Sequence, residues 1–373
     1  MDDSGRPQRV AIAHDWLTIP GGSEKVVARM LRMFPQAEIF TSVYDPAPWP
    51  PVITSRPVHT SFLNRIPGAT RNYPRMLPLM NAAFESFDFT GFDLVLSSSH
   101  ACAKNVITGP DTLHVCYCHT PMRHAWEPRF LAHEDIGRVE RLVAEPLLAK
   151  LRRDDVIGSL RPDRFVANSS HVAHRIAKYY RREAEVIHPP VDIDRLLDEP
   201  RADAGFYLCA GRLAPYKRAD LAVEACTRLG RPLKVAGTGR LADALAEAAG
   251  PNVELLGHVE DAELDALFLS ARALLFPGEE DFGIVPVEAQ AAGLPVIAYG
   301  VGGIRDTVIP GETGVFFAEQ TADALCDAIL EFEAGDWDPE AARRNARRFD
   351  PERFDADLAA LIAREGAARE VPA

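Results

Sequence analysis

Short apolar runs recur along the chain with amphipathic stretches between them. In the first half they are RVAIAH at 9–14, FDLVLS at 92–97, LHVCYCH at 113–119 and RFVA at 164–167. In the second half they are FYLCA at 206–210, LKVA at 233–236, VELLGHV at 253–259, ALLF at 273–276 and PVIA at 295–298. Continuous apolar runs of this length, bounded by turn residues, read as strands of a parallel sheet buried on both faces. The intervening stretches at 24–34, 133–153, 263–270, 321–332, 339–349 and 351–365, and the one following Asn168 and Ser169, read as helices. Strand alternating with helix in two series predicts an α/β protein with two doubly wound domains. A 373-residue chain also exceeds what one hydrophobic core usually serves. The double proline of EVIHPPV at 185–191 blocks helix, stiffens the chain and places a hinge, dividing domains at 1–188 and 189–350. Residues 366–373 are expected to be disordered.

Several loops after these strands carry chemistry. After the first strand, with His14 and Asp15 at its end, Gly21-Gly22 opens a helix expected to run from Glu24 to Phe34 with Ser23 as its cap. The stretch 277–298, PGEEDFGIVPVEAQAAGLPVIA, puts Glu280 and Glu288 around a glycine turn and a helix start, and Gly293 ends that helix. The amides of Gly283, Ile284 and Val285 would open the helix, where unpaired N–H groups and the macrodipole attract a phosphate. Carboxylates beside a phosphate site are suited to sugar hydroxyls. His114, Cys116, Cys118 and His119 are too close along one extended strand to converge on a tetrahedral ion. Asp192-Ile193-Asp194 and Asp336-Trp337-Asp338 lie away from strand ends and read as turn and helix-cap acids. Gly237-Thr238-Gly239 does not complete a dinucleotide fingerprint, which disfavours a dehydrogenase.

Composition narrows the class. The chain is 47% hydrophobic and 25% charged, as for a soluble globular protein. No apolar run approaches the roughly 20 residues that span a bilayer, and the N-terminus lacks a signal-peptide core, so a cytoplasmic protein is expected. Cys102, Cys116, Cys118, Cys209, Cys226 and Cys326 are scattered through apolar segments, as reduced, buried thiols are. The net charge of -13 argues against nucleic acid. Residues 1–188 nevertheless carry 23 Lys+Arg against 20 Asp+Glu, and 189–373 carry 18 against 34. Within 46–80, Arg65, Arg71 and Arg75 interleave with Phe62, Leu63, Ile66, Tyr73, Met76 and Leu77. Two readings stay open: a surface helix packed on the core, or a patch that lies on a membrane to reach a lipid-linked acceptor.

The Glu-x7-Glu of Glu280 and Glu288, with GRLAPYKRAD at 211–220 and GLPVIAYGVGGIRDTV at 293–308, resembles the retaining nucleotide-sugar glycosyltransferases of family 4. HTPMRHAWE at 119–127 is similar to a segment of that family's bacterial polysaccharide mannosyltransferases. The resemblance implies the GT-B architecture, two Rossmann-like doubly wound domains facing a cleft, with the last helix, 351–365, packing back on the first domain. It implies that Glu288 holds the ribose hydroxyls and Glu280 a hydroxyl of the donor sugar. Arg212 and Lys217 would bind the diphosphate with the Gly283, Ile284 and Val285 amides. The Gly257, His258 and Val259 backbone would recognise the base. Gly21 and Gly22 would face donor phosphates and acceptor, and His119 the anomeric centre. Arg123 and Trp126 suit an acceptor phosphate or sugar face, since guanidinium binds phosphate bidentately and indole stacks on pyranose C–H groups.

Arg212 and Lys217 would supply the positive charge that a metal supplies elsewhere, so no divalent ion is expected. The implied reaction is hexosyl transfer with retention in cell-surface polysaccharide or glycolipid assembly, with GDP-mannose as donor. The alternatives are a UDP- or ADP-hexose transferase, a sugar-nucleotide epimerase of the same architecture, and a non-catalytic nucleotide-sugar-binding subunit.

Overall fold

The computed structural model describes residues 7–127 and 138–370; the start of the helix expected at 133–153 lies outside them. The chain divides into two units, Met1–Pro190 with Pro351–Ala373, and Val191–Asp350.

In the first unit the described strands are β1 (Val10–His14), β2 (Glu38–Thr41), β3 (Val58–Thr60), β4 (Leu94–Ser99), β5 (Leu113–Cys118), β6 (Arg164–Ala167) and β7 (Ala184–Val186). They form one parallel sheet in the order β3-β2-β1-β4-β5-β6-β7. In the second unit β8 (Tyr207–Ala210), β9 (Leu233–Ala236), β10 (Val253–Gly257), β11 (Ala273–Phe276), β12 (Val296–Tyr299) and β13 (Gly314–Phe317) form a parallel sheet in the order β10-β9-β8-β11-β12-β13. Each chain segment starts mid-sheet, winds out to one edge and crosses back. The winding reverses between β1 and β4 and between β8 and β11, and ligands of open α/β sheets sit outside the carboxyl ends of strands at such a point.

The period of two in β5 is expressed in the packing. Cys116 and Cys118 lie with Phe165, Val172 and Ile176, whereas Val115 and Tyr117 face the opposite layer. That layer includes the helix Pro351–Glu370, which buries Phe354, Leu358, Leu361 and Ile362 in the first unit's core. Each such side chain contributes about 1.5–3 kcal/mol. Arg29 clamps the helix through a bidentate pair with Asp355 at 2.7 and 2.6 Å.

Three expectations are corrected. The first helix is Gly22–Met33 with Gly21 as its N-cap, so Ser23 lies inside the first turn and does not cap it. Residues 366–370 are helical and not disordered, held by an alanine-rich sequence and by pairs of Arg364 with Glu185 at 2.6 Å and Arg369 with Asp163 at 2.5 Å. Residues 59–80 form no single helix; proline and glycine break them into the end of β3, Phe62–Arg65, Ala69–Asn72, Tyr73–Met76 and the start of Leu77–Glu85. Strands β2, β3 and β13 do not stand out along the sequence: Glu38, Thr41, His59 and Thr60 interrupt the apolar pattern of β2 and β3, and β13 opens on a glycine.

Candidate active site

In the second unit β8 hands the chain to Gly211, and the turn Pro215–Lys217 brings Lys217 beside the loop that leaves β11. Lys217 Nζ lies 2.5 Å from Glu280 Oε1, with each side chain 20% exposed. Burial opposes the ammonium charge, but Glu280 outweighs it and the Lys217 pKa is raised. Glycine makes this approach possible: a Cβ on Gly278 would lie 2.8 Å from Lys217 Cα. The second glycine turn works the same way. Gly302, at φ +93°, and Gly303 would place Cβ atoms 2.4 Å from Glu280 O and 2.2 Å from Asp281 O. Gly303 N–H instead donates to Glu280 O at 2.8 Å, so this turn is the platform on which the Glu280 loop rests. Arg212 is exposed and donates from Nη2 to Tyr216 Oη at 2.9 Å. Gly211, Arg212, Lys217, Gly278 and Glu280 together line a small cavity.

The helix Ile284–Ala291 starts at Gly283, whose φ of 93° is left-handed and which has no side chain of its own to cap the helix, so the Gly283, Ile284 and Val285 amides open it beside Glu280. The two acids of Glu-x7-Glu have different surroundings. Glu288 is 5% exposed, and Arg195 Nη2 stands 3.5 Å from its Oε1 while Arg195 Nε donates to Asp265 at 2.9 Å. Arg195 belongs to the one-turn helix Asp194–Leu197, which contains an acid of the first Asp-x-Asp. Sequence reasoning missed it because nothing local distinguishes it. Gly257, His258 and Val259 lie at the end of edge strand β10, three strands from β11. Gly257 O accepts from Gly237 N–H at 2.7 Å, Val259 packs on the core, and the His258 side chain is 74% exposed.

In the first unit β1, β4 and β5 deliver polar groups to one carboxyl edge. His14 Nδ1 lies 3.1 Å from both Ser98 O and Ser98 Oγ, and its Nε2 lies 3.1 Å from Glu24 Oε1. Ser98 Oγ is 2.8 Å from His119 Nε2. Asp15 is fully buried and accepts from the amides of His100, Ala101, Cys102 and Ala103 at 2.6, 3.0, 2.5 and 2.6 Å, capping the turn after β4. Burial opposes the Asp15 charge, but the neighbouring His100 and His14 and these amides hold its pKa down. Burial likewise opposes the Glu24 charge, yet the bond to His14 holds its pKa down to about 2. For His14 burial is outweighed by Glu24 and its pKa is raised. Burial drives His119 down to about 3 and lowers His100. Gly21 and Gly22 begin the helix that carries Glu24, and a Cβ on Gly21 would lie 2.9 Å from Glu24 Oε2.

Arg123 and Trp126 share the short helix Arg123–Trp126. The Trp126 indole is engaged in structure: its ring stacks on Tyr179 at 4.6 Å and its N–H donates to Asp155 at 2.6 Å. Asp155, fully buried, also accepts from Tyr180 Oη at 2.8 Å and pairs with Lys104 at 2.5 Å. This network ties the segment after His119 to the core.

Comparison with known proteins decides what kind of domain each unit is. Residues 20–195 match the family model described as Glycosyltransferase Family 4, and residues 198–349 the one described as Glycosyl transferases group 1. Each unit therefore matches a glycosyltransferase domain model. A glycogen synthase of Mycobacterium tuberculosis (strain ATCC 25618 / H37Rv) is 35% identical over 159 residues, 40% of this chain and 38% of the relative. A D-inositol 3-phosphate glycosyltransferase of Mycolicibacterium paratuberculosis (strain ATCC BAA-968 / K-10) is 32% identical over 212 residues, 50% of this chain and 47% of the relative. The chain thus spans about half or less of the length of the curated relatives it matches. Among solved structures, sucrose-phosphate synthase from Thermosynechococcus elongatus aligns with a TM-score of 0.69 at 20% identity, over 97% of this chain and 100% of that one. Anabaena HepE in complex with UDP and glucose aligns with a TM-score of 0.67 at 17% identity, over 95% and 99%. These likenesses show a GT-B fold.

Proposed function

We propose that this glycosyltransferase moves a hexosyl group from a nucleoside-diphosphate sugar to a hydroxyl acceptor with retention, using no divalent metal, and that GDP-mannose is the donor. The observation that carries the reading is the Lys217–Glu280 pair at the β8/β11 reversal, beside the helix start at Gly283. An ammonium has three N–H donors, so Lys217 can hold Glu280 and a phosphate oxygen at once. Lys217, Arg212 and the helix amides would take up the charge of the departing diphosphate. Glu280 would accept from a sugar hydroxyl, and Glu288, aimed by Arg195, from the ribose. A departing phosphate oxygen can serve as the base, so a front-face reaction needs no protein nucleophile.

UDP-hexose is the alternative donor, since HepE, alike in fold, is solved with UDP and glucose. A thermal-shift panel of GDP-, UDP- and ADP-sugars separates the two readings. A ligand at 100 times its Kd stabilises by about 2.7 kcal/mol, so the native donor raises Tm and the others do not. The lead donor is then assayed for transfer with and without EDTA. No response to any nucleotide sugar overturns the reading, and turnover lost in EDTA and restored by magnesium overturns its metal-free part.

On the acceptor side we propose contact with an anionic membrane surface. Residues 46–84 contain no Asp or Glu although the chain has a net charge of -13. Phe62, Ile66 and Leu79 are 45%, 40% and 50% exposed, and Arg65, Arg71 and Arg75 are exposed beside them. Apolar side chains among arginines suit a lipid interface, at about 1 kcal/mol per basic residue near anionic headgroups. Cosedimentation with phosphatidylglycerol vesicles but not phosphatidylcholine vesicles, abolished by R65E/R71E/R75E, is expected. Equal sedimentation with both vesicles, or with neither, rules the surface out.

A further inference from the structure

We infer that Glu24, His14 and Ser98 form a hydrogen-bonded chain that sets the tautomer and aim of His119, leaving its Nδ1–H as the group offered to a ligand. The donor and acceptor inventory of the chain leads to this assignment. Ser98 O is a carbonyl and can only accept, so His14 Nδ1, 3.1 Å away, carries a proton. Glu24 is ionised and its Oε1 can only accept, so His14 Nε2, also 3.1 Å away, carries a proton too. His14 is therefore a buried imidazolium balanced by Glu24. Its Nδ1–H is shared with Ser98 Oγ at 3.1 Å, so that hydroxyl accepts from His14 and its own proton points elsewhere. The acceptor 2.8 Å away is His119 Nε2. A ring nitrogen that accepts here must be unprotonated, which leaves the proton of neutral His119 on Nδ1.

The other charged neighbours leave this arrangement intact. Asp15 accepts from four backbone amides and pairs with His100 Nδ1 at 3.2 Å. His100 is turned to Asp15, its ring centroid 6.0 Å from that of His14 and 6.4 Å from that of His119. Lys104 is engaged by Asp155 and by Ala101 O at 2.6 Å. The His119 backbone is pinned as well, its N–H donating to Ser99 O at 2.8 Å and its O accepting from Asn168 at 3.0 Å. Among the described residues His119 Nδ1 has no hydrogen-bond partner. Glu24, His14 and Ser98 are thus positioning residues. This deepens the reading in which His119 meets the donor sugar: the group presented is a neutral N–H donor, suited to a sugar hydroxyl or a charged oxygen.

The test is long-range 1H–15N NMR of the full chain labelled with 15N-histidine, with His119 assigned by the loss of its signals in His119→Gln. The wild type is expected to show His119 protonated on Nδ1 alone across about pH 5 to 8, and His14 protonated on both nitrogens at about pH 6, below its ordinary value. In Ser98→Ala the His119 signals should become a tautomer mixture. kcat on the responding donor should then fall about 100-fold, with KM changed less than about threefold. Ser98→Thr keeps the hydroxyl and should restore the single tautomer and most of kcat. A wild-type His119 protonated on Nε2 overturns the inference whether or not any variant folds. A Ser98→Ala protein that keeps one tautomer and full kcat overturns it as well. The tautomer is read without turnover, so a protein that transfers no sugar removes the functional proposal and leaves this one standing on its own result.

Discussion

Lys217→Ala isolates the charge on which the proposed chemistry depends. The ammonium lies 2.5 Å from Glu280 Oε1 with each side chain 20% exposed, so its field is neither fully screened nor fully buried. At an effective dielectric near 20, a unit charge developing about 3 Å from Nζ would gain roughly 5–6 kcal/mol from Coulomb attraction. Desolvation and the partial neutralisation by Glu280 reduce that, and losing one preorganised donor typically costs about 2.7–4 kcal/mol. A loss of at least about 2 kcal/mol, or roughly 30-fold in kcat/KM, is therefore expected. The variant also leaves Glu280 facing the diphosphate uncompensated, so Lys217→Ala with Glu280→Gln should recover part of the loss. The assay is kcat/KM for the donor from nucleotide release, run beside urea unfolding. The unfolding free energy should fall by only about 1 kcal/mol, as for a partly exposed pair. Arg228→Ala is the control, a cation of the same unit that is 48% exposed and paired with Asp323, and it should leave kcat/KM unchanged. A Lys217→Ala enzyme within about threefold of wild type refutes the assignment of Lys217 to the leaving group.

Two further outcomes concern stability. Lys104→Met should destabilise by about 3–5 kcal/mol in urea unfolding, because Lys104 and Asp155 are 1% and 0% exposed and the carboxylate would be left buried without its cation; a loss under about 1 kcal/mol contradicts the pairing. Glu24 predicts the acid limb: its folded pKa, about 2, lies below its ordinary 4.5, so its contribution is complete above pH 4.5 and is lost as pH falls toward 2. The difference corresponds to about 3 kcal/mol. His14 has the opposite sign: its raised pKa contributes stability below its ordinary 6.5 that is lost as pH rises through the folded value. The pair therefore stabilises most between pH 4.5 and 6.5. Glu24→Gln should flatten the dependence of unfolding free energy on pH below 4.5, and an unchanged slope there rejects the linkage.

How far such features can be read from sequence depends on how local their causes are. The runs at β1, β5, β8 and β11 announce themselves because a strand buried on both faces is apolar at nearly every position. The glycine turns and the acids after them are legible for a related reason. A loop leaving a central strand lies at the carboxyl edge, so Lys217 after β8 and Glu280 after β11 become neighbours as soon as β8 pairs with β11. Arg195 is different. It reaches Glu288 from a one-turn helix 93 residues earlier in the chain, and neither periodicity nor composition separates it from any other arginine. The chain behind His119 was hidden in the same way: Ser98 is the middle serine of an SSS run, and its bond to His14 closes 84 residues. The neighbours of His119 follow from strand order. Because β4 lies between β1 and β5, the hydroxyl on β4 is the only one of these groups placed to touch both His14 and His119, and the protonation state of the ring that follows β5 is thereby determined from the helix that follows β1. Tautomer control at this site is a consequence of the parallel order of three strands, which is why no single segment of the sequence displays it.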